Sequence, residues 1–144
     1  MAKRILVPID GSTCSDQAFT YALNEYGKEE IIVINVVDPQ NFYAAAGIEG
    51  GIATSPEQLQ DSFQNQSQNL LEEKHEEARE RDIEIDTETL TGPIANTIVS
   101  YAEEHDIDHI VMGSRGRTGA GRILLGSVAE RVTRRSPVSV TIVR

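Results

Sequence analysis

Met112-Gly113-Ser114-Arg115-Gly116, followed after nine intervening residues by Gly126-Ser127, gathers the residue types that can hold a phosphate. Glycines let the backbone turn sharply and approach a ligand closely. N–H groups converging at a helix start, at the positive end of its dipole, attract anions. Serine adds a hydroxyl and arginine a counter-charge. The spacing Gly-x2-Gly-x9-Gly-Ser is not a Walker A loop, because no Gly-Lys-Ser/Thr is present. It is not the dinucleotide fingerprint either. Gly119-Ala120-Gly121 begins one, but Leu124 stands at the third glycine position and no strand immediately precedes it.

The charges are skewed toward this segment. Three lysines and ten arginines face 23 acids, a net charge of −10. Residues 1–112 hold 22 acids and 6 bases, a net of −16, whereas residues 113–144 hold one acid, Glu130, and 7 bases, a net of +6. Arg134 and Arg135 suit a helix C-terminus. Arg115, Arg117 and Arg122 fall inside the glycine-rich stretch itself. The overall acidity disfavours nonspecific nucleic-acid binding, and it is the kind a high-salt cytoplasm favours.

Other chemistries find less support. His105 and His109 are four apart, but Asp106–Asp108 breaks the helix between them, so no zinc pair is expected. The single cysteine, Cys14, excludes an intrachain disulfide framework and has no histidine near it in sequence. There is no Gly-x-Ser-x-Gly elbow. No second carboxylate is placed to activate water at the phosphates. These absences favour binding over fast turnover.

The elements around the glycines follow from periodicity. Ile5-Leu6-Val7 reads as a strand buried on both faces. Asp10-Gly11-Ser12 turns the chain, and Ser12 or Ser15 can cap a helix that carries Ala18, Ala22 and Tyr26 inward and stops near Gly27. Ile31–Val37 is a second strand, ended by Asp38-Pro39. Residues 40–56 read as a loop. A polar helix from about Pro56 to Arg81 turns Leu59, Phe63, Leu70 and Leu71 inward, with Glu72–Arg81 as its solvated end. Ile83, Ile85, Thr87 and Thr89 alternate with acids, as in a half-exposed strand near a sheet edge. Gly92-Pro93 opens a helix with proline in its first turn, and Ile94, Ile98, Tyr101 and Ala102 face the core. Ile107–Met112 is the fourth strand. The glycine-rich loop, a helix from Gly126 and a last strand at 138–143 complete the chain.

This alternation predicts one domain over residues 1–144, with a five-stranded parallel sheet covered by helices on both faces. Ligands in such Rossmann-like sheets bind beyond the carboxyl ends of the strands, where strand order reverses. The first and fourth strands both end in turn-forming sequence and should flank that reversal. No apolar run approaches the roughly 20 residues of a membrane span. The N-terminus enters a strand at once, so no signal peptide and a cytoplasmic location are expected.

Together these residues resemble the ATP-binding subtype of the universal stress protein family. Gly113, Gly116, Gly126 and Ser127 match its Gly-x2-Gly-x9-Gly-Ser/Thr pattern. Ile5–Ser12 is similar to its first strand and turn, Asn35–Asp38 to its second strand end, and Leu125–Val132 to its following helix. The resemblance implies strand order 3-2-1-4-5. It also implies ATP as ligand, with AMP or ADP as alternatives and Mg2+ in attendance. Asp10 would contact the ribose or adenine side, with Pro8 and Ile9 lining the site. Val36 would present its backbone to the adenine edge, and Met112 would lie under the nucleoside. Gly113, Arg115 and Gly116 would wrap the phosphates, capped by Gly126, Ser127 and Val128. A homodimer through strand 138–143, no membrane or nucleic-acid partner, and at most slow ATP hydrolysis complete the expectation. The alternatives are an interaction module that binds no nucleotide, and a slow ATPase.

Overall fold

Ile5, Leu6 and Val7 are fully shielded from solvent, and they point to two different cores. That is the signature of a strand with helices on both sides. The computed structural model describes residues 2–40, 56–114 and 125–144. The elements among them are β1 (Arg4–Pro8), α1 (Thr13–Tyr26), β2 (Glu30–Val37), α2 (Pro56–Arg79), β3 (Ile85–Thr91), α3 (Ile94–Glu104), β4 (His109–Gly113), α4 (Ser127–Arg135) and β5 (Ser139–Val143). The sheet order is β3-β2-β1-β4-β5, with every pair parallel. After β1 the chain moves to β2 on one side, and after β4 to β5 on the other. The reversal therefore falls between β1 and β4, as the sequence predicts.

Alternation in the strands sorts the two cores. Ile5, Val7, Ile31, Val33 and Val111 meet α1 and α2 through Phe19, Ala22, Leu71 and Ala78. Leu6, Ile32, Ile34, Ile110 and Met112 meet α3 and α4 through Ile98, Ala102, Ala129 and Val132. A fully buried Phe19 contributes about 2–3 kcal/mol by area. Among the described residues no helix is long and apolar enough to cross a membrane.

Several local expectations are settled. Ser12 is the cap of α1, its Oγ accepting the Ser15 N–H at 3.1 Å, and Ser15 lies inside the helix. Pro93 is the N-cap of α3, one position earlier than expected. β3 starts at Ile85, because Asp82 at φ 57° turns the chain and the Ile83 N–H closes α2 on the Ala78 carbonyl at 2.9 Å. The end of α2 is not solvated throughout. Lys74 and Ala78 are buried there against α1, so the charged sequence hides an inward stripe. The loop read at 40–56 falls mostly outside the described residues.

Candidate functional site

The carboxyl edge of the sheet collects the residues singled out by spacing. Pro8, Ile9 and Asp10 leave β1, and Val36 is next to last in β2. Met112 and Gly113 end β4, while Gly126, Ser127 and Val128 open α4. The ladder aligns Pro8 with Ile34, Leu6 with Ile110 and Met112 with Ile142, so these strand ends sit side by side. Arg115 and Gly116 lie outside the described residues, as do Arg117 and Arg122.

The helices that follow the strands start at this edge: α3, beyond the outer strand β3, begins on Pro93 without a side-chain cap, while α1 and α4, which flank the reversal, start differently from each other. α1 is capped by Ser12, as described above. α4 begins on Gly126 in extended conformation (φ −64°, ψ 161°), with no side-chain cap. Its first intrahelical donor is the Glu130 N–H, to the Gly126 carbonyl at 2.9 Å. The N–H groups of Ser127, Val128 and Ala129 therefore precede the helical ladder. Side chains behind them hold the helix in place, with Ala129 and Val132 buried and Val128 packed on the same core. Glu130, the acid of this first turn, is exposed and paired with Arg134 at 2.9 Å.

Ser114 ties this start to the sheet. Its N–H donates to the Val143 carbonyl and its carbonyl accepts from the Gly126 N–H, both at 2.8 Å. Its side chain is buried, with Oγ 3.9 Å from Cys14 Sγ. Gly113 beside it has a packing reason to be glycine. A Cβ there would lie 2.7 Å from the Cys14 carbonyl carbon and 2.9 Å from its oxygen. The end of β4 and the first turn of α1 touch backbone to backbone.

Across the reversal, Asp10 sits in a tight turn. Its Oδ1 accepts the Ser12 N–H at 2.9 Å, and its own N–H donates to Ser15 Oγ at 3.3 Å. Gly11 makes the turn possible with φ +81°. Asp10 is thus half-buried and held by the turn, and it is not the helix cap. The Ile9 N–H donates to the Ile34 carbonyl at 2.9 Å, and the Ile9 carbonyl accepts from Asn35 Nδ2 at 2.7 Å. Ile9 and Met112 are buried in the two cores, and Val36 packs half-buried on the α3–α4 side.

The titratable groups displaced from their ordinary values lie away from this edge. Burial, and then the Glu88 carboxylate, push the Tyr101 hydroxyl up to about 12. Burial, and then the charge of Lys3, lower the His109 imidazole, whose Nε2 is 2.6 Å from Thr141 Oγ1. His105 stacks on Tyr101 at 3.8 Å, so the two histidines serve different elements. Among the described residues no three His, Cys, Asp or Glu side chains group to hold a metal ion.

Spacing alone does not single out Asn35 or Ser114. The signal for the first is a lone amide inside Ile31-Ile32-Val33-Ile34-Asn35-Val36-Val37, and the second stands inside the glycine motif.

The model of the universal stress protein family matches residues 1–144. Universal stress protein MJ0531 of Methanocaldococcus jannaschii is 40% identical over 145 residues, spanning 99% of this chain and 82% of the relative. The solved structure of MJ0577, a universal stress protein of the same organism, superposes with a TM-score of 0.81 at 27% identity, covering 99% of this chain and 96% of that one. A family protein of Arabidopsis thaliana solved with AMP bound superposes at 0.69 and 20% identity, covering 98% and 90%.

Proposed function

This chain belongs to the universal stress protein family, and from that premise we propose that it binds ATP across the reversal between β1 and β4. The observation that carries the reading is the uncapped start of α4. Its leading N–H groups lie at the strand reversal, and among the described residues no side chain caps them, whereas α1 beside it is closed by Ser12. An anion completes such a terminus.

The phosphates rest on Gly126, Ser127 and Val128, wrapped by Gly113 and by Arg115 and Gly116 of the loop. The surplus of arginine in residues 113–144 favours a triphosphate over AMP or ADP. Adenine meets the Val36 backbone, Asp10 turns toward the ribose, and Pro8, Ile9 and Met112 give the apolar floor. The Arabidopsis protein solved with AMP shares this fold, which supports an adenine nucleotide. Mg2+ travels on the phosphates. The protein holds its nucleotide as a cytoplasmic regulator of the stress response, and hydrolysis is slow at most. Self-association runs through β5.

Titration calorimetry with ATP and with AMP tests the reading, alongside mass spectrometry of small molecules released from the purified protein. Gly126→Val should abolish ATP binding with the fold intact, because its extended φ and ψ accept any residue while the added side chain enters the phosphate path. Unchanged affinity in that variant would sink the assignment.

A further inference from the structure

We infer that Asn35 is a positioning residue that frees the backbone of Val36 to read the edge of the base. The inference rests on the nucleotide reading above. In a parallel ladder a residue donates to one neighbour and accepts from the next but one. The Ile9 N–H bonded to the Ile34 carbonyl makes the following rung a bond from the Val36 N–H to the Ile9 carbonyl. Among the described residues that rung is replaced. The Ile9 carbonyl takes its hydrogen bond from Asn35 Nδ2 at 2.7 Å.

The direction of the Val36 groups follows from the same alternation. Val37 bonds toward β3, its carbonyl accepting the Gly92 N–H at 3.0 Å. Ile34, two residues before Val36, bonds toward β1. Val36 therefore turns its N–H and C=O into the gap between β1 and β2, beside the point where Asp10 leaves the sheet. A donor and an acceptor on the backbone of one residue can pair with the Watson–Crick edge of adenine, whose amino group donates and whose ring nitrogen accepts. Guanine presents the reverse order on that edge and is disfavoured. The Val36 side chain packs on the α3–α4 core and fixes the strand, while among the described residues its N–H makes no bond to the Ile9 carbonyl. Asn35 thus closes β1 onto β2 without consuming the donor that recognition needs.

The experiment compares wild type, Asn35→Leu and Asn35→His in titrations with ATP, GTP and inorganic triphosphate. Leucine has similar bulk and no donor. Histidine places a ring N–H at the same distance from the backbone as the asparagine amide. Amide hydrogen exchange at Val36 is followed without nucleotide. The expected results are faster exchange at Val36 in wild type than in Asn35→Leu, where the N–H is released to the Ile9 carbonyl, and ATP binding weakened about tenfold or more by leucine. The ATP-over-GTP preference should shrink, triphosphate binding should hold, and histidine should restore both affinity and preference. Loss of ATP and triphosphate binding in equal measure would mark a merely structural role and overturn the inference. So would wild-type affinity in Asn35→Leu. A wild-type protein that binds no adenine nucleotide would overturn the nucleotide reading itself.

Discussion

Lys74 carries its charge into the seam between α1 and α2, where 3% of its side chain remains exposed. Asp16 at 2.8 Å and Glu77 at 3.3 Å meet the ammonium, which also lies 5.4 Å above the ring of Phe19. Burial on its own would lower the pKa of Lys74, but the two carboxylates outweigh it and hold the ammonium above its ordinary value. The stability this supplies is complete at neutral pH and is lost as pH rises through the raised pKa. The asymmetry between breaking and removing a buried pair gives a prediction. Asp16→Asn with Glu77→Gln strands the ammonium and should cost about 2 kcal/mol, at the low end because both carboxylates are half-exposed and screened. Adding Lys74→Met should recover most of that loss. Urea denaturation of the double and triple variants measures both steps. A triple variant no more stable than the double would show that the charge is not the cost.

At the scale of elements, the contact between the end of β4 and the start of α1 decides how the site is built. Gly113→Ala forces a Cβ to within 2.7 Å of the Cys14 backbone, which cannot give way as a side chain could. We expect a loss of about 3 kcal/mol, since the clash is with backbone and moves a whole helix. Gly126→Val, by contrast, should leave the melting temperature nearly unchanged. Comparing the two by thermal unfolding separates a glycine needed for packing from one placed to leave room for a ligand. The sequence makes the strands legible because Ile5-Leu6-Val7 and Ile31–Val37 are apolar runs that only a doubly covered sheet can bury. It makes the reversal legible because the first and fourth strands both end in turn residues. It does not make the seat of α1 on Gly113 legible, for that contact joins residues 99 positions apart through backbone atoms. The inward stripe of α2 is hidden for another reason. Lys74 reads as solvent-facing until its partner Asp16 on α1 is known. Asn35 bonds to a main-chain oxygen, and no side-chain pattern announces that.

The whole molecule presents two sheet edges of opposite character. β3 turns Asp86 and Glu88 to solvent, and repeated acids resist pairing with another strand. Val138 just before β5, and Val140 and Ile142 within it, are half-buried beside the α3–α4 core, with no charged side chain between Ser136 and Arg144. The self-association proposed through β5 would use this uncharged edge. The bond from the Ser114 N–H to the Val143 carbonyl assigns the odd-numbered residues of β5 to β4. The amides of Val140 and Ile142 therefore face outward and are free to pair with a second copy. Val140→Pro removes one outward donor and leaves the bonds to β4 in place. Sedimentation velocity should then show self-association weakened by about tenfold or more, with circular dichroism unchanged. A variant that dimerises as well as wild type would place the interface on another surface.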